Sequence, residues 1–215
     1  MRWSFKIARV AGIDIRVHIT FFLIVILGAS QWSGFGLRGA IFGIVLILLL
    51  FLCVTLHELG HSVVAQRFGV TVKEIILLPI GGVAMLSRIP SKPSQELLIA
   101  IAGPLVNVVI AGAIIVGIGV NTALGRMNLN DLVVPAHAAP SPFLMLKFLL
   151  NANIALVVFN MIPAFPLDGG RVLRALLAMR MGHVRATQVS ASIGQFLAFL
   201  LGLYGLMGGG VIMVI

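Results

Sequence analysis

The 215-residue chain is 60% hydrophobic and only 10% charged, with a mean hydropathy of +1.15. A soluble domain of that size cannot hide so much apolar surface, which leaves the polytopic membrane proteins. The formal net charge of +9 is spread between apolar runs, so the cations read as orientation signals and lipid-headgroup contacts, and a nucleic-acid partner is not expected. Cys53 is the single cysteine, which excludes an internal disulfide.

Residues 4–17 alternate around Ala11-Gly12, with Phe5, Ile7, Val10, Ile13, Ile15 and Val17 as the apolar set. That pattern predicts a short β-hairpin at the membrane surface. Residues 1–18 are too polar ahead of the first apolar run for a cleavable signal peptide. His18 opens that run, 18–36, as an interfacial helix cap, and the run closes around Trp32. The second run, 39–66, begins with eighteen uncharged residues, GAIFGIVLILLLFLCVTL. At ~1.5 Å per residue these cover most of a ~30 Å hydrocarbon layer before His57 is reached.

Residues 70–90 hold β-branched pairs, Pro79, Gly81-Gly82 and a second extended stretch, with no helical period. They predict a β-hairpin or small sheet folded against the membrane, covered by protein or lining a wet cavity. The third run, 97–120, contains Gly103-Pro104 and Asn107, which predict a kink and close helix packing. Residues 121–142 are a polar loop in which His137 is read as solvated. The fourth run, 143–167, ends in FNMIPAFPLDGGR, where Pro163 and Pro166 unwind the chain before Asp168. Residues 169–185 are short and basic, either spanning or interfacial, and 186–215 carry no charge. The expected fold is an all-α polytopic membrane protein of about six transmembrane segments, with small membrane-associated β-hairpins near 4–17 and 70–90. It is read as a single domain over 1–215, leaving room for a C-terminal regulatory domain beyond Ile215.

The chemistry concentrates at HELGH, residues 57–61. His57 and His61 are four apart, so both imidazoles leave one helix face, and Glu58 follows the first directly. Two nitrogen ligands and an adjacent carboxylate are the HExxH pattern for one Zn²⁺ per chain with Glu58 as general base. Of the six acids, Asp14, Glu74, Glu96 and Asp131 fall in segments that read as interfacial or aqueous. Glu58 and Asp168 fall at the ends of apolar runs, where a carboxylate is expensive. The second and fourth runs are separated by one return crossing, so their C-terminal ends reach the same side, which makes Asp168 the candidate third metal ligand. Arg2/Lys6/Arg9/Arg16, Arg67/Lys73/Arg88/Lys92 and Arg171/Arg174/Arg180/Arg185 cluster on that side. The positive-inside rule therefore puts the site toward the cytoplasmic face of the cell membrane. Asn160, two turns before Asp168 on roughly the same helix face, is a candidate for holding the substrate carbonyl or its oxyanion; the plainer reading is an interhelical hydrogen bond. Cys53 is collinear with the two histidines and reads as a small buried residue. Intramembrane His, Glu and Asp also line divalent-metal transporters, which stand as the alternative function.

With HELGH, GPLVN at 103–107 and NMIPAFPLDGG at 160–170 in this order, nearly the whole chain resembles the site-2 protease family of intramembrane zinc metalloproteases. The resemblance implies zinc on His57, His61 and Asp168, water activation by Glu58, and assistance to substrate or transition state from Asn160. It implies regulated intramembrane proteolysis of single-span membrane proteins within the lipid bilayer, such as anti-sigma factors or membrane-tethered regulators. No PDZ insertion separates the third and fourth runs, and some relatives carry C-terminal CBS domains. A transmembrane helix has no free amides, so a substrate must unwind before it is cut. An edge strand with Gly81, Gly82, Val83 and Ala84 could hold it by β-augmentation; the plainer reading is a structural hairpin plugging the cavity.

Overall fold

The computed structural model describes residues 3–88, 90, 92–125 and 139–205. The segment with Arg126, Asp131 and His137, like Arg2, lies outside the described residues. Everything is arranged around α2, Gly36–Arg67, a 32-residue helix that is about 48 Å long at ~1.5 Å per residue. It has too few interruptions to bend away: its glycines are scattered singly among leucines, isoleucines and phenylalanines. Ahead of it come β1 (Ser4–Val10), β2 (Ile13–His18), α1 (Phe21–Gln31) and a 3₁₀ turn, Ser33–Phe35. After it come β3 (Val72–Leu78), β4 (Gly81–Leu86), α3 (Pro93–Ala123), α4 (Pro142–Asn160), α5 (Asp168–Met181) and α6 (His183–Tyr204).

Four helical stretches are long and apolar enough to cross a membrane: Ser33–Arg67, Pro93–Ala123, Pro142–Asn160 and His183–Tyr204. α1, at 11 residues, and α5, at 14, reach only about 17 and 21 Å at ~1.5 Å per residue, well short of a ~30 Å hydrocarbon layer. The expectation of about six membrane segments thus resolves into six helices, four of them of spanning length among the described residues.

The two expected hairpins form, and they fuse. β1–β2 and β3–β4 are antiparallel pairs, and β2 lies parallel to β3, giving one four-stranded sheet in the order β1-β2-β3-β4. The parallel pairing needs a long crossover, which α1 and α2 supply. Alternation fixes the buried face: in β2, Ile13, Ile15 and Val17 point inward while Asp14, Arg16 and His18 do not. They pack with Val72, Ile75 and Leu77 of β3 and with Phe21, Phe51 and Ile99 of the helices. A second core at the other end of α2 joins Trp32, Phe42, Leu46 and Leu144, with Trp32 edge-on to Phe42 at 4.8 Å between ring centroids.

Several boundaries move. His18 does not open the first helix; it closes β2, and its Nδ1 lies 2.8 Å from the Thr20 hydroxyl. Helix α1 starts at Phe21, because the strand ladder to β3 continues through Val17. The fourth run ends at Asn160, not 167, since Pro163 and Pro166 cannot continue it. Its start is set by Ser141, whose hydroxyl accepts from Leu144 N at 3.1 Å, with Pro142 in the first turn. The acids need one correction too. Glu96, assigned to an interfacial segment, is fully buried.

Candidate metal centre

His57 and His61 stand on α2 about six and seven turns from its start, and both are buried. Their ring orientations follow from backbone carbonyls. The Asn153 amide Nδ2 donates to the Leu149 carbonyl at 2.8 Å, so its Oδ1 is the atom that accepts from Asn107 Nδ2, at 2.7 Å. That leaves Asn107 Oδ1 facing His57 Nδ1 at 2.5 Å. A carbonyl oxygen only accepts, so His57 Nδ1 carries the hydrogen. His61 Nδ1 likewise donates to the Ile99 carbonyl at 2.6 Å. In the neutral rings both Nε2 atoms are therefore bare lone pairs.

Those two lone pairs face one another at 3.1 Å. Asp168 Oδ2 completes the triangle, 3.2 Å from His57 Nε2 and 3.0 Å from His61 Nε2. Three acceptors with no donor among them, buried together, repel unless a cation sits between them. Ligand atoms ~2.0–2.1 Å from a tetrahedral Zn²⁺ lie about 3.3–3.4 Å apart, so the triangle fits zinc with a slight opening. His–His–carboxylate is also a donor set that zinc accepts with a fourth position left open. Each ring is braced through its other nitrogen, as metal-binding histidines require.

Each ligand has a local reason for its place. The i, i+4 spacing puts both rings over one face of α2. Gly103 of α3 makes room for the second: a Cβ there would fall 2.2 Å from His61 Nε2. Asp168 is the first residue of α5, delivered by the irregular turn 161–167. Gly169 lets that turn close, since its Cβ would meet the Ile162 and Met161 carbonyl oxygens at 2.3 and 2.4 Å. Arg171 follows one turn later, with Nη1 3.7 Å from Asp168 Oδ1.

A cavity of about 710 Å³ opens onto this triangle. Glu58 lines it, and so do Asn160, Arg171 and the β4 stretch Gly81, Gly82, Val83 and Ala84. β4 runs directly against Glu58: a Cβ on Gly82 would sit 2.7 Å from Glu58 Cγ. β4 is an outer strand, paired only with β3 among the described residues. Asn160 does reach the cavity, but not from the helix face that bears Asp168. It ends α4, and Asp168 begins α5 beyond the turn. Cys53 is a buried thiol that accepts from Asn153 Nδ2 at 3.4 Å, outside the metal triangle.

Sequence reasoning missed the bracing set. Asn107 and Gly103 read as packing features of α3, and Asn153 and the Ile99 carbonyl attracted no attention. The one available signal was chemical, since an amide within an apolar run is costly unless it is bonded. Asn107 and Asn153 both satisfy that description.

The comparisons agree with this geometry. The family model described as peptidase family M50 matches residues 45–201. The chain is 42% identical to the zinc metalloprotease MJ0392 of Methanocaldococcus jannaschii, over all of this chain and 58% of that protein. It is 37% identical to the putative zinc metalloprotease sll0528 of Synechocystis, over 78% of this chain and 41% of that protein. The chain thus spans about half the length of these curated relatives. A solved structure of a site-2 protease from Methanocaldococcus jannaschii superposes with a TM-score of 0.65 at 40% identity, covering 99% of this chain and 89% of that one. A family match over most of the chain, joined to a buried His–His–Asp triangle on an HExxH helix, identifies the protein as a member of peptidase family M50, of the site-2 protease type.

Proposed function

We propose that the chain is a zinc-dependent intramembrane endopeptidase, one Zn²⁺ per chain, that cuts peptide bonds within or near the transmembrane segments of single-span proteins. Membrane-tethered signalling proteins such as anti-sigma factors are the substrate class that the site-2 protease type suggests. One observation carries the reading: His57 and His61 commit both Nδ1–H groups to fixed acceptors and turn two bare Nε2 atoms toward Asp168. A zinc ion held by these three would lower the pKa of a water and polarise a carbonyl.

The chain's own groups supply the rest. Glu58 lines the cavity beside the triangle and takes the proton of the attacking water, then passes it to the leaving amine. Asn160 donates its amide to the substrate carbonyl as negative charge grows on the oxygen. The substrate lies extended along Gly81–Ala84, whose outer edge offers main-chain partners to an unwound helix. The hydrophobic α2 and the basic clusters support a reading in which this work is done within the bilayer toward the cytoplasmic face.

Detergent-purified protein offered candidate single-span substrates, with and without a zinc chelator, tests the reading. Glu58→Gln should keep its zinc and lose at least about 100-fold in cleavage, the usual range for a general base. Cleavage at the wild-type rate would end the proposal. A divalent-metal transporter would instead lose flux in step with metal affinity and cut nothing.

A further inference from the structure

Glu96 and Arg174 are charged residues that composition assigns to the surface and the fold pairs inside. Glu96, in the first turn of α3, is 0% exposed. Arg174 of α5 donates from Nε to its Oε1 at 2.8 Å and from Nη2 to the same oxygen. The other oxygen, Oε2, has no hydrogen-bond partner among the described residues. The same guanidinium lies over the Phe165 ring, 5.2 Å from its centroid. Removing either member of a buried pair strands the other, so the contact is stringent about its geometry.

Its placement gives it a role beyond holding helices together. On α3, Glu96 precedes Ile99 by one turn, and the Ile99 carbonyl sets the His61 ring. On α5, Arg174 follows Asp168 by under two turns. Phe165 belongs to the turn that delivers Asp168. The pair therefore spans from the α3 turn that orients one ligand to the helix that carries another. Asp168 needs such a restraint from outside, because its Oδ2 faces two lone pairs that push it away until a cation arrives.

We propose that Glu96 and Arg174 are positioning residues of the metal centre: their ion pair, backed by Phe165, holds α5 in register with α3 so that Asp168 meets the two histidines. The inference rests on the metal-hydrolase reading of His57, His61 and Asp168 and deepens it. It assigns neither residue a contact with substrate or metal.

The test uses the full chain in detergent, with Glu96→Gln, Arg174→Met and Arg174→Lys, and with Leu144→Ala as a control in the other core. Three quantities are read: apo thermal unfolding, zinc affinity by chelator competition, and the visible spectrum of the Co²⁺-loaded protein, which reports ligand geometry. Glu96→Gln and Arg174→Met should bind zinc about tenfold or more weakly, the range for groups that orient metal ligands, and should alter the Co²⁺ bands. Arg174→Lys should recover part of both. Leu144→Ala should unfold earlier yet keep the wild-type affinity and spectrum. If the Glu96 and Arg174 variants behave like Leu144→Ala, the pair is structural only and the proposal is overturned. Should Arg174→Met not be recovered folded, Glu96→Gln and Arg174→Lys decide by the same readings. Wild-type protein that binds zinc but cleaves nothing sinks the protease reading and leaves this one standing.

Discussion

Replacing Gly103 with alanine is the smallest change that should empty the metal site. The added Cβ would lie 2.2 Å from His61 Nε2, 2.6 Å from Cε1 and 2.7 Å from Cδ2. Ordinary contact begins near 3.4 Å, so the ring or the helix must move by about 1.2 Å, against a tolerance of ~0.2 Å for zinc–ligand distances. The ring cannot swing freely, because Nδ1 is tied to the Ile99 carbonyl at 2.6 Å. Loss of a well-placed ligand should cost more than loss of a bracing group, whose removal costs 10–100-fold. We expect zinc to bind at least about 100-fold more weakly, roughly 2.7 kcal/mol. The helix itself should not suffer, since alanine is favoured over glycine in a helix interior by ~1 kcal/mol. Chelator competition, with circular dichroism on the same samples, separates the two effects. A Gly103→Ala protein of native helicity that binds zinc within about threefold of wild type would refute the close packing of α3 on His61, because no ligand shift of that size is silent.

Other outcomes follow from the same geometry. Asn107→Leu keeps the branching at Cγ but removes the acceptor for His57 Nδ1–H and the donor to Asn153; zinc affinity should fall about 10–100-fold in the same assay, and an unchanged value would mean packing alone orients the ring. Proline at whichever of Val83 and Ala84 turns its N–H away from β3 should lower cleavage about tenfold, the worth of one main-chain hydrogen bond, with zinc content unchanged; equal cleavage removes β4 as a substrate strand. At the sheet's other end, the Lys6 ammonium, 2.6 Å from Asp14 Oδ1, holds that half-buried carboxyl below its ordinary value. Its contribution to the β1–β2 hairpin is complete above the ordinary aspartate range and is lost as pH falls through the lowered value. Amide exchange in β1, compared between wild type and Lys6→Met, should differ through the ordinary aspartate range and converge only once pH has fallen below the lowered value; a difference that persists after Asp14 is fully protonated would exclude the pair as its cause.

The sequence disclosed what is written locally. His57 and His61 are joined by a helical turn, β2 by a period of two, and the break before Asp168 by two prolines, so each could be read within a dozen residues. What stayed hidden depends on partners far along the chain. The parallel register that sets Asp14 beside Glu74 fuses two hairpins across the whole of α1 and α2, and no local pattern specifies it. Glu96 looked interfacial because its cation is 78 residues away, and an isolated glutamate is normally exposed. Asn107 reads as a packing residue and Asn153 gives no signal of its partners, because the hydrogen bonds that make them a brace run between α3, α4 and α2. The HExxH pattern announces the ligands, while the tautomers that make them ligands come from tertiary contacts.

The open strand and the water supply constrain each other. A strand edge at membrane depth leaves amide and carbonyl groups unpaired, each costing several kcal/mol in hydrocarbon. β4 can keep its outer edge only where that edge meets something wet or polar, and the surface it shares with Glu58 and Asp168 is such a cavity. The proposed hydrolysis would need the same cavity, since water would have to reach the carboxylate of Glu58 through an apolar shell formed by α2 and its neighbours. A site filled by side chains would bury the edge and exclude the water together. A peptide pairing with β4, as proposed, would satisfy the edge and arrive beside the metal triangle in one step, which would couple unwinding of the substrate to its placement for attack.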